Sequence, residues 1–158
     1  MARFATEAER TVTVRVPLPR AYDYLWDVVT SSRCMPGIAS CTPVGKDTYR
    51  FIYRERSVGP LSLMAQYTAR YDGNGVDQIV FESTGARGDN TEVSGLIRLQ
   101  PSGIEATRII MRQMIAPDTP IPRLLQGLIR SFIEREAAEA VQVYLSNIKR
   151  ALEAVPPS

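Results

Sequence analysis

The sequence contains no histidine. Histidine is the usual general base near neutral pH, the commonest metal ligand, and the group that activates serine and cysteine nucleophiles. Its absence excludes Ser-His and Cys-His catalysis. An enzyme built on this chain would have to rely on carboxylates, tyrosines or arginines.

Cysteine is scarce, and both cysteines fall in one short stretch, SRCMPGIASC, as Cys34 and Cys41. Two thiols without histidine do not complete a tetrahedral zinc site, and their spacing is not that of a redox Cys-x-x-Cys motif. We therefore predict no metal and no cofactor. Pro36 and Gly37, between the thiols, predict a bend from a helix into a strand.

Excess charge and long apolar runs are also missing. A net charge of +2 argues against the strongly basic surface of a nucleic-acid-binding protein. No run approaches the about 20 apolar residues of a membrane span, and acidic residues stand near the start, where a signal peptide needs an apolar segment. We expect one cytoplasmic domain over residues 1–158, with no nucleic-acid partner and no integral membrane segment.

Apolar residues alternate with polar ones over 9–16, which predicts a half-buried strand. Pro17 and Pro19 end it, and helical spacing follows through about residue 29, with a second short helix over 30–35. Strands are then predicted over 48–56, 61–72, 77–84, 91–99 and 104–116. Short strands joined in sequence by tight turns favour an antiparallel sheet with one wet face.

Near the end of the chain, the spacing of the apolar residues changes from that of a strand to that of a helix. Asp118, Thr119 and Pro120 form a helix-start signal, and an apolar stripe at helical spacing follows. About 30 helical residues predict a rod about 45 Å long, which would bury its stripe against the apolar face of the sheet. The stripe comprises Leu125, Leu128, Ile129, Phe132, Ile133, Ala137, Ala140, Val141, Tyr144, Leu145, Ile148 and Leu152.

This order of elements resembles the helix-grip fold (Bet v 1/START-like) of the START-like, or SRPBCC, superfamily. Within it, the chain is most similar to the CoxG-like family of carbon monoxide dehydrogenase subunits. The resemblance runs from about Val12 to Leu152 and is carried by Val16-Pro17 with Pro19, Tyr22-Leu25-Trp26, Met35-Pro36-Gly37, Val58-Gly59-Pro60 and the helix after Pro120. It implies an α+β fold: a curved antiparallel sheet of about seven strands, two short helices after the first strand, and a long C-terminal helix packed across the sheet.

Such a fold implies a cavity, because a strongly curved sheet does not touch a straight helix along its whole length. The family generally holds hydrophobic ligands there, including lipids, quinones and polyketides. Small residues at Ala65, Ala69 and Gly95 are predicted to leave space, although the same faces could also interlock as a solid core. The candidate ligand-binding residues are Phe51, Tyr53, Glu55, Leu63, Tyr67, Phe81, Ile97, Ile109, Met111, Gln113, Leu128 and Phe132.

We therefore expect a protein that binds and carries a small hydrophobic ligand without transforming it. One alternative is a polyketide cyclase-like or dehydratase-like enzyme in which Glu55, Tyr53 and Tyr67 place protons on a bound polyketone; Glu55 could equally reach water or pair with a neighbouring arginine. The other is an accessory protein in the assembly of a molybdenum hydroxylase-type enzyme. A partner protein or a homodimer is compatible with the exposed sheet face.

Overall fold

An antiparallel sheet and a long helix form the two main layers of the structure, a computed structural model that describes residues 5–58, 61–118 and 122–154. The strands are β1 (Thr6–Val14), β2 (Ile38–Gly45), β3 (Thr48–Tyr53), β4 (Arg56–Val58), β5 (Leu61–Leu63), β6 (Gln66–Gly73), β7 (Gln78–Ser83), β8 (Thr91–Pro101) and β9 (Thr107–Pro117). The helices are α1 (Leu18–Trp26), α2 (Val28–Ser31) and α3 (Gln126–Ala154), with single 3-10 turns at Ser32–Cys34 and Arg123–Leu125.

Seven strands form the main sheet in the order β1-β9-β8-β7-β6-β3-β2, and every neighbouring pair is antiparallel. The predicted α+β class, the seven-stranded sheet, the two short helices after β1 and the long C-terminal helix are confirmed. Within the described ranges, no helix is both long enough and apolar enough to cross a membrane.

Two predicted strands are interrupted. The strand expected over 48–56 ends at Tyr53, the one expected over 61–72 begins again only at Gln66, and β4 and β5 between them pair as a separate hairpin. The reason is tertiary: Leu63 of this hairpin packs against Ile129 and Ile133 of α3 instead of extending the sheet. Gly59, Pro60, Thr119 and Pro120, which contribute to the sequence resemblance and the helix-start signal, lie outside the described residues.

The helical region after β1 divides earlier than the periodicity predicts. α1 ends at Trp26 because Asp27 leaves the helical conformation, with φ −78° and ψ 79°. The Asp27 carboxylate then accepts a hydrogen bond from the Thr30 amide at 3.4 Å and caps α2. Ala21, Tyr22 and Leu25 of α1 are buried, as their spacing predicts.

The apolar stripe of α3 is buried in two separate clusters. Val141, Tyr144, Leu145, Ile148 and Leu152 belong to the main core, together with the inward residues of the sheet. Earlier in the helix, Ile129 and Ile133 form a second cluster with Leu63, Leu125 and Phe132. The 29-residue helix therefore rests on the sheet with its C-terminal half and on the β4–β5 hairpin with its N-terminal half.

The space predicted at Gly95 is filled. Gly95 lies opposite Phe81 in the β7–β8 pair, and the Phe81 ring occupies the position where a Cβ of residue 95 would stand. Glycine here permits close packing of an aromatic ring and leaves no volume for a ligand. The expectation that this position opens the cavity is wrong, because strand parity does not show how a neighbouring ring is turned.

Candidate ligand-binding cavity

A cavity of about 470 Å³ lies between the N-terminal half of α3, the sheet and the β4–β5 hairpin. A smaller cavity of about 40 Å³ adjoins it at the inner side, where Met111, Val141 and Tyr144 of the main core form the wall. Tyr53 and Gln113 line both spaces. The larger volume falls within the range of about 300–1,000 Å³ that is typical of small-molecule sites.

The periodicity of the strands and of α3 determines which side chains line the larger cavity. Gln113 and Ile115 point inward from β9 because they alternate with outward residues, and Tyr53 and Tyr67 do the same from β3 and β6. From α3, helical spacing brings Phe132, Ile133, Glu136, Ala137 and Ala140 to the cavity. The small side chains at Ala137 and Ala140 leave room where larger ones would reach the sheet.

Two tyrosines supply hydroxyl groups inside. The Tyr53 and Tyr67 hydroxyls are 3.1 Å apart, and the Tyr53 hydroxyl also lies 3.4 Å from the Met35 sulfur, to which it can donate. Burial raises the pKa of Tyr53 to about 12 and the pKa of Tyr67 well above its ordinary value. Both phenols are therefore neutral at physiological pH and act as hydrogen-bonding groups.

The two amide side chains in the lining differ in their contacts. Asn90 is held by three hydrogen bonds: its oxygen accepts from the Gln66 amide and the Thr91 hydroxyl, both at 2.9 Å, and its nitrogen donates to the Met64 carbonyl at 2.7 Å. The Gln113 amide makes no hydrogen bond to any residue that the structure describes. Asn90 is a structural residue, whereas Gln113 offers a free donor and acceptor.

Charged side chains stand at the exposed rim. The Arg56 guanidinium pairs with the Glu136 carboxylate and lies 5.8 Å from the centre of the Phe132 ring. Arg54 and Glu139 complete the charged part of the lining, and both are exposed. The cavity therefore has a polar opening formed by the hairpin and α3, and apolar or neutral walls further in.

The bend between the two cysteines forms part of the wall. Pro36 and Gly37, which has φ 78°, form the predicted bend between the 3-10 turn and β2 and line the larger cavity. Cys34 and Cys41 are free thiols whose pKa values burial raises. Within the described ranges, no group of three or more cysteine and carboxylate side chains could hold a metal ion.

No family model matches the sequence, and no curated protein matches it significantly. Solved structures do resemble it. The Zhui aromatase/cyclase from Streptomyces sp. R1128 superposes with a TM-score of 0.71 at 16% identity, over 95% of this chain and 94% of that one. A START superfamily protein from Mycobacterium smegmatis gives 0.67 at 14% identity, over 95% and 99%. The protein TTHA0849 from Thermus thermophilus gives 0.67 at 18%, over 94% and 97%.

The chain has a START-like helix-grip fold. The likeness extends over nearly the whole chain. At these identities it establishes the fold. The cavity of this protein lies between helix and sheet, where the sequence resemblance implied a ligand site.

Six of the predicted site residues lie on the cavities of this START-like fold. Tyr53, Leu63, Tyr67, Gln113 and Phe132 line the larger space, and Met111 lines the smaller one. Their role in binding stays a prediction. What the structure adds is that these side chains, from four strands and one helix, converge on the same region.

The other six predicted residues line neither space. Phe51, Phe81, Ile97 and Ile109 are buried in the main core beside the C-terminal half of α3, and the Phe51 ring stacks on Tyr67 with centroids 4.8 Å apart. Leu128 is 63% exposed. Glu55 is exposed beyond the end of β3, where its carboxylate accepts a hydrogen bond from Ser62.

Several lining residues were not among the candidates. Ile133, Ala137 and Ala140 belong to the predicted α3 stripe, so their periodicity could have marked them. Asn90, Thr91 and Pro117 stand at or next to strand ends and reach the cavity through tertiary structure alone. No local pattern in the sequence identifies them.

Proposed function

We propose that this protein binds a small hydrophobic molecule in the cavity beneath the N-terminal half of α3 and carries it unchanged. The observation that supports this most directly is the cavity itself, about 470 Å³ in volume and bounded mainly by apolar and aromatic side chains. A concave, mostly apolar space with a few convergent polar groups is the usual form of a small-molecule site.

Carriage is favoured over chemistry by the groups that face the cavity. Glu55, the acid that a cyclase-like mechanism would have used, is exposed and held by Ser62. Glu136 is paired with Arg56 at the rim. The inner tyrosines stay protonated because burial raises their pKa values. These groups suit binding and orientation better than proton abstraction.

A cavity-filling variant tests the proposal. Ala140 lines both spaces, so Ala140→Phe places a ring where the ligand would lie. We expect the affinity for the neutral dye N-phenyl-1-naphthylamine to fall by about tenfold or more, which corresponds to about 1.4 kcal/mol. Dye fluorescence measures binding, and native mass spectrometry of gently purified protein identifies any co-purifying molecule.

Ala154→Phe is the matched control, because it adds the same ring at an exposed position of the same helix. Its affinity for the dye should equal that of the unchanged protein. Equal binding by Ala140→Phe and the unchanged protein would place the dye elsewhere and contradict the proposal. Absence of dye binding and of any co-purifying molecule would do the same.

A cyclase-like activity is the second candidate, favoured by the Tyr53–Tyr67 hydroxyl pair and by the structural likeness to a protein described as an aromatase/cyclase. On this proposal, Tyr53 donates a hydrogen bond to a carbonyl oxygen of a bound polyketone. Tyr53→Phe should then abolish turnover of a polyketone while binding persists. Equal turnover by the variant, or no turnover by the unchanged protein, would dismiss the candidate.

The CoxG-like subfamily and an accessory role toward a molybdenum hydroxylase-type enzyme rest on the sequence resemblance. Arg54 and Arg56, exposed beside the opening, are the cations that an acidic partner would contact. Reversing both charges should weaken a pull-down with such an enzyme. An unchanged pull-down would remove this surface from consideration.

A further inference from the structure

We propose that the ligand is uncharged at its inner end and carries a carbonyl or hydroxyl group there, which binds the Gln113 amide. This inference rests on the proposed binding function and specifies its ligand class. It also assigns an orientation, with the polar group inward and the apolar body directed toward the charged rim.

Gln113 carries the inference. It lies on β9 between Arg112 and Met114, points to the inner face, and lines both the larger and the smaller cavity. Its amide makes no hydrogen bond to the described residues, and because it is not among the fully buried unpaired groups, it is accessible from the cavity. A ligand that fills the cavity takes this amide out of water, so it must supply a hydrogen-bonding group or leave the amide buried without a partner.

Tyr53 adds a second polar group at the same place. Its side chain lines the same two cavities as Gln113, and its hydroxyl already has Tyr67 and Met35 within reach. A hydroxyl has one proton and two lone pairs, so a Tyr53 hydroxyl that donates to a neighbour can still accept from a ligand. The amide of Gln113 can donate to a carbonyl or accept from a hydroxyl.

The inner region does not favour a charged group. None of the described residues lining the smaller cavity is ionised at neutral pH: Met35, Met111, Val141 and Tyr144 stand there beside the two polar groups. Burial raises the pKa values of Tyr53 and Tyr144, which shows that this environment disfavours a negative charge. A carboxylate ligand would instead turn its charge toward Arg54 at the rim.

Three probes of nearly equal shape separate these possibilities: 2-acetylnaphthalene, a neutral ketone; 2-ethylnaphthalene, which cannot form the hydrogen bond; and 2-naphthoate, an anion. Titration calorimetry at pH 7.5 gives their affinities. We expect the ketone to bind about tenfold more tightly than the ethyl compound, since it alone satisfies the amide. We expect the anion to bind most weakly.

Gln113→Leu keeps a side chain of similar size and removes the amide. In this variant the ketone should lose its advantage over 2-ethylnaphthalene, while the ethyl compound binds as well as before or better. Gln142→Leu, the same change at an exposed position of α3, should preserve the preference. The side-chain NH₂ resonances of Gln113 provide a readout in the unchanged protein, and they should shift with the ketone and not with the ethyl compound.

The outcomes distinguish a failure of the proposed ligand class from a failure of the proposed binding function. Equal affinity for ketone and ethyl compound, tighter binding of the anion, or a preference that survives Gln113→Leu would overturn the ligand class while binding in the cavity stands. If none of the three probes binds and N-phenyl-1-naphthylamine does not bind either, the proposed function and this inference both fail.

Discussion

The two halves of α3 pack against different parts of the protein, although one continuous apolar stripe runs along both. Residues 141–154 anchor the helix: Tyr144, Leu145 and Ile148 are buried in the main core, and Asn147 donates a hydrogen bond to the Cys34 carbonyl at 3.0 Å. Residues 126–140 contact the β4–β5 hairpin through a small second cluster, and Leu128 remains exposed.

The difference shows how this fold combines stability with an internal space. Where the helix meets the sheet, large side chains fill the interface. Where it faces the cavity, Ala137 and Ala140 replace them and the hairpin closes the side. The cavity is thus formed by the half of the helix that contributes least to the core, so changes in the cavity can be made without removing the contacts that hold the helix.

The strongest test of this comparison is one substitution made in each half. Leu145 is fully buried and Leu128 is 63% exposed. Leu145→Ala should lower the free energy of unfolding by about 2–5 kcal/mol, because it removes a packed side chain and leaves a void. Leu128→Ala should change it by less than about 0.5 kcal/mol, as is usual for exposed positions. Urea denaturation at 25 °C measures both.

A large effect at Leu128 would mean that the N-terminal half is held by more than the hairpin. A small effect at Leu145 would mean that the C-terminal half does not anchor the helix. Either result breaks the comparison. The two variants are otherwise matched, since each removes the same atoms from the same helix.

Much of the architecture was predictable because it depends on local periodicity. Ile79 and Phe81 alternate as a half-buried strand requires, and Ile148 and Leu152 fall on the buried side of α3. The order of strands and helices followed from such patterns. Four of the five candidate residues on the larger cavity, Tyr53, Tyr67, Gln113 and Phe132, are also positions whose direction is set by strand or helix parity.

The rest of the site could not be predicted from the sequence. Strand parity shows that a side chain points inward, but it does not show whether that side chain packs in the core or lines the cavity. Phe51 and Tyr53 point to the same side of β3, yet Phe51 packs in the core and Tyr53 lines the cavity. Glu55 would follow them if the strand continued, but the chain leaves the sheet after Tyr53. The hairpin depends on contacts between Leu63 and α3, which are distant in sequence.

An exchange of charge between the hairpin and α3 sharpens the comparison at the cavity rim. Arg56 and Glu136 pair across the opening. Arg56→Glu places two carboxylates together, so we expect dye to leave the cavity about three- to tenfold faster. The free energy of unfolding should change by no more than about 1 kcal/mol, as for other exposed pairs. Stopped-flow fluorescence measures the release rate.

The double variant Arg56→Glu/Glu136→Arg restores opposite charges in exchanged positions. Its release rate should return toward that of the unchanged protein. Failure of the double variant to recover would mean that Arg56 acts through its packing on Phe132 and not through its charge. An unchanged release rate in Arg56→Glu would mean that the Arg56–Glu136 pair does not control how fast dye leaves the cavity.

The smallest effect is expected at the far end of the anchored half. Glu153 accepts hydrogen bonds from Lys149 at 2.6 Å and from the Arg15 amide at 2.9 Å, and these contacts lower the pKa of its carboxyl from the ordinary 4.5. A lowered pKa means that the folded state prefers the ionised carboxylate. The stabilisation is therefore complete above pH 4.5 and disappears as the pH falls through the lower folded value.

Glu153→Gln should reduce the free energy of unfolding slightly at pH 7, within the range of about 0–1 kcal/mol typical of surface pairs, and the difference should vanish in acid. Urea denaturation at pH 7 and at pH 3 measures it. Glu134→Gln makes the same change at an exposed position in the cavity half and is the matched control. If Glu153→Gln gave a difference that persisted or grew in acid, the carboxylate would not be stabilised by its contacts with Lys149 and Arg15.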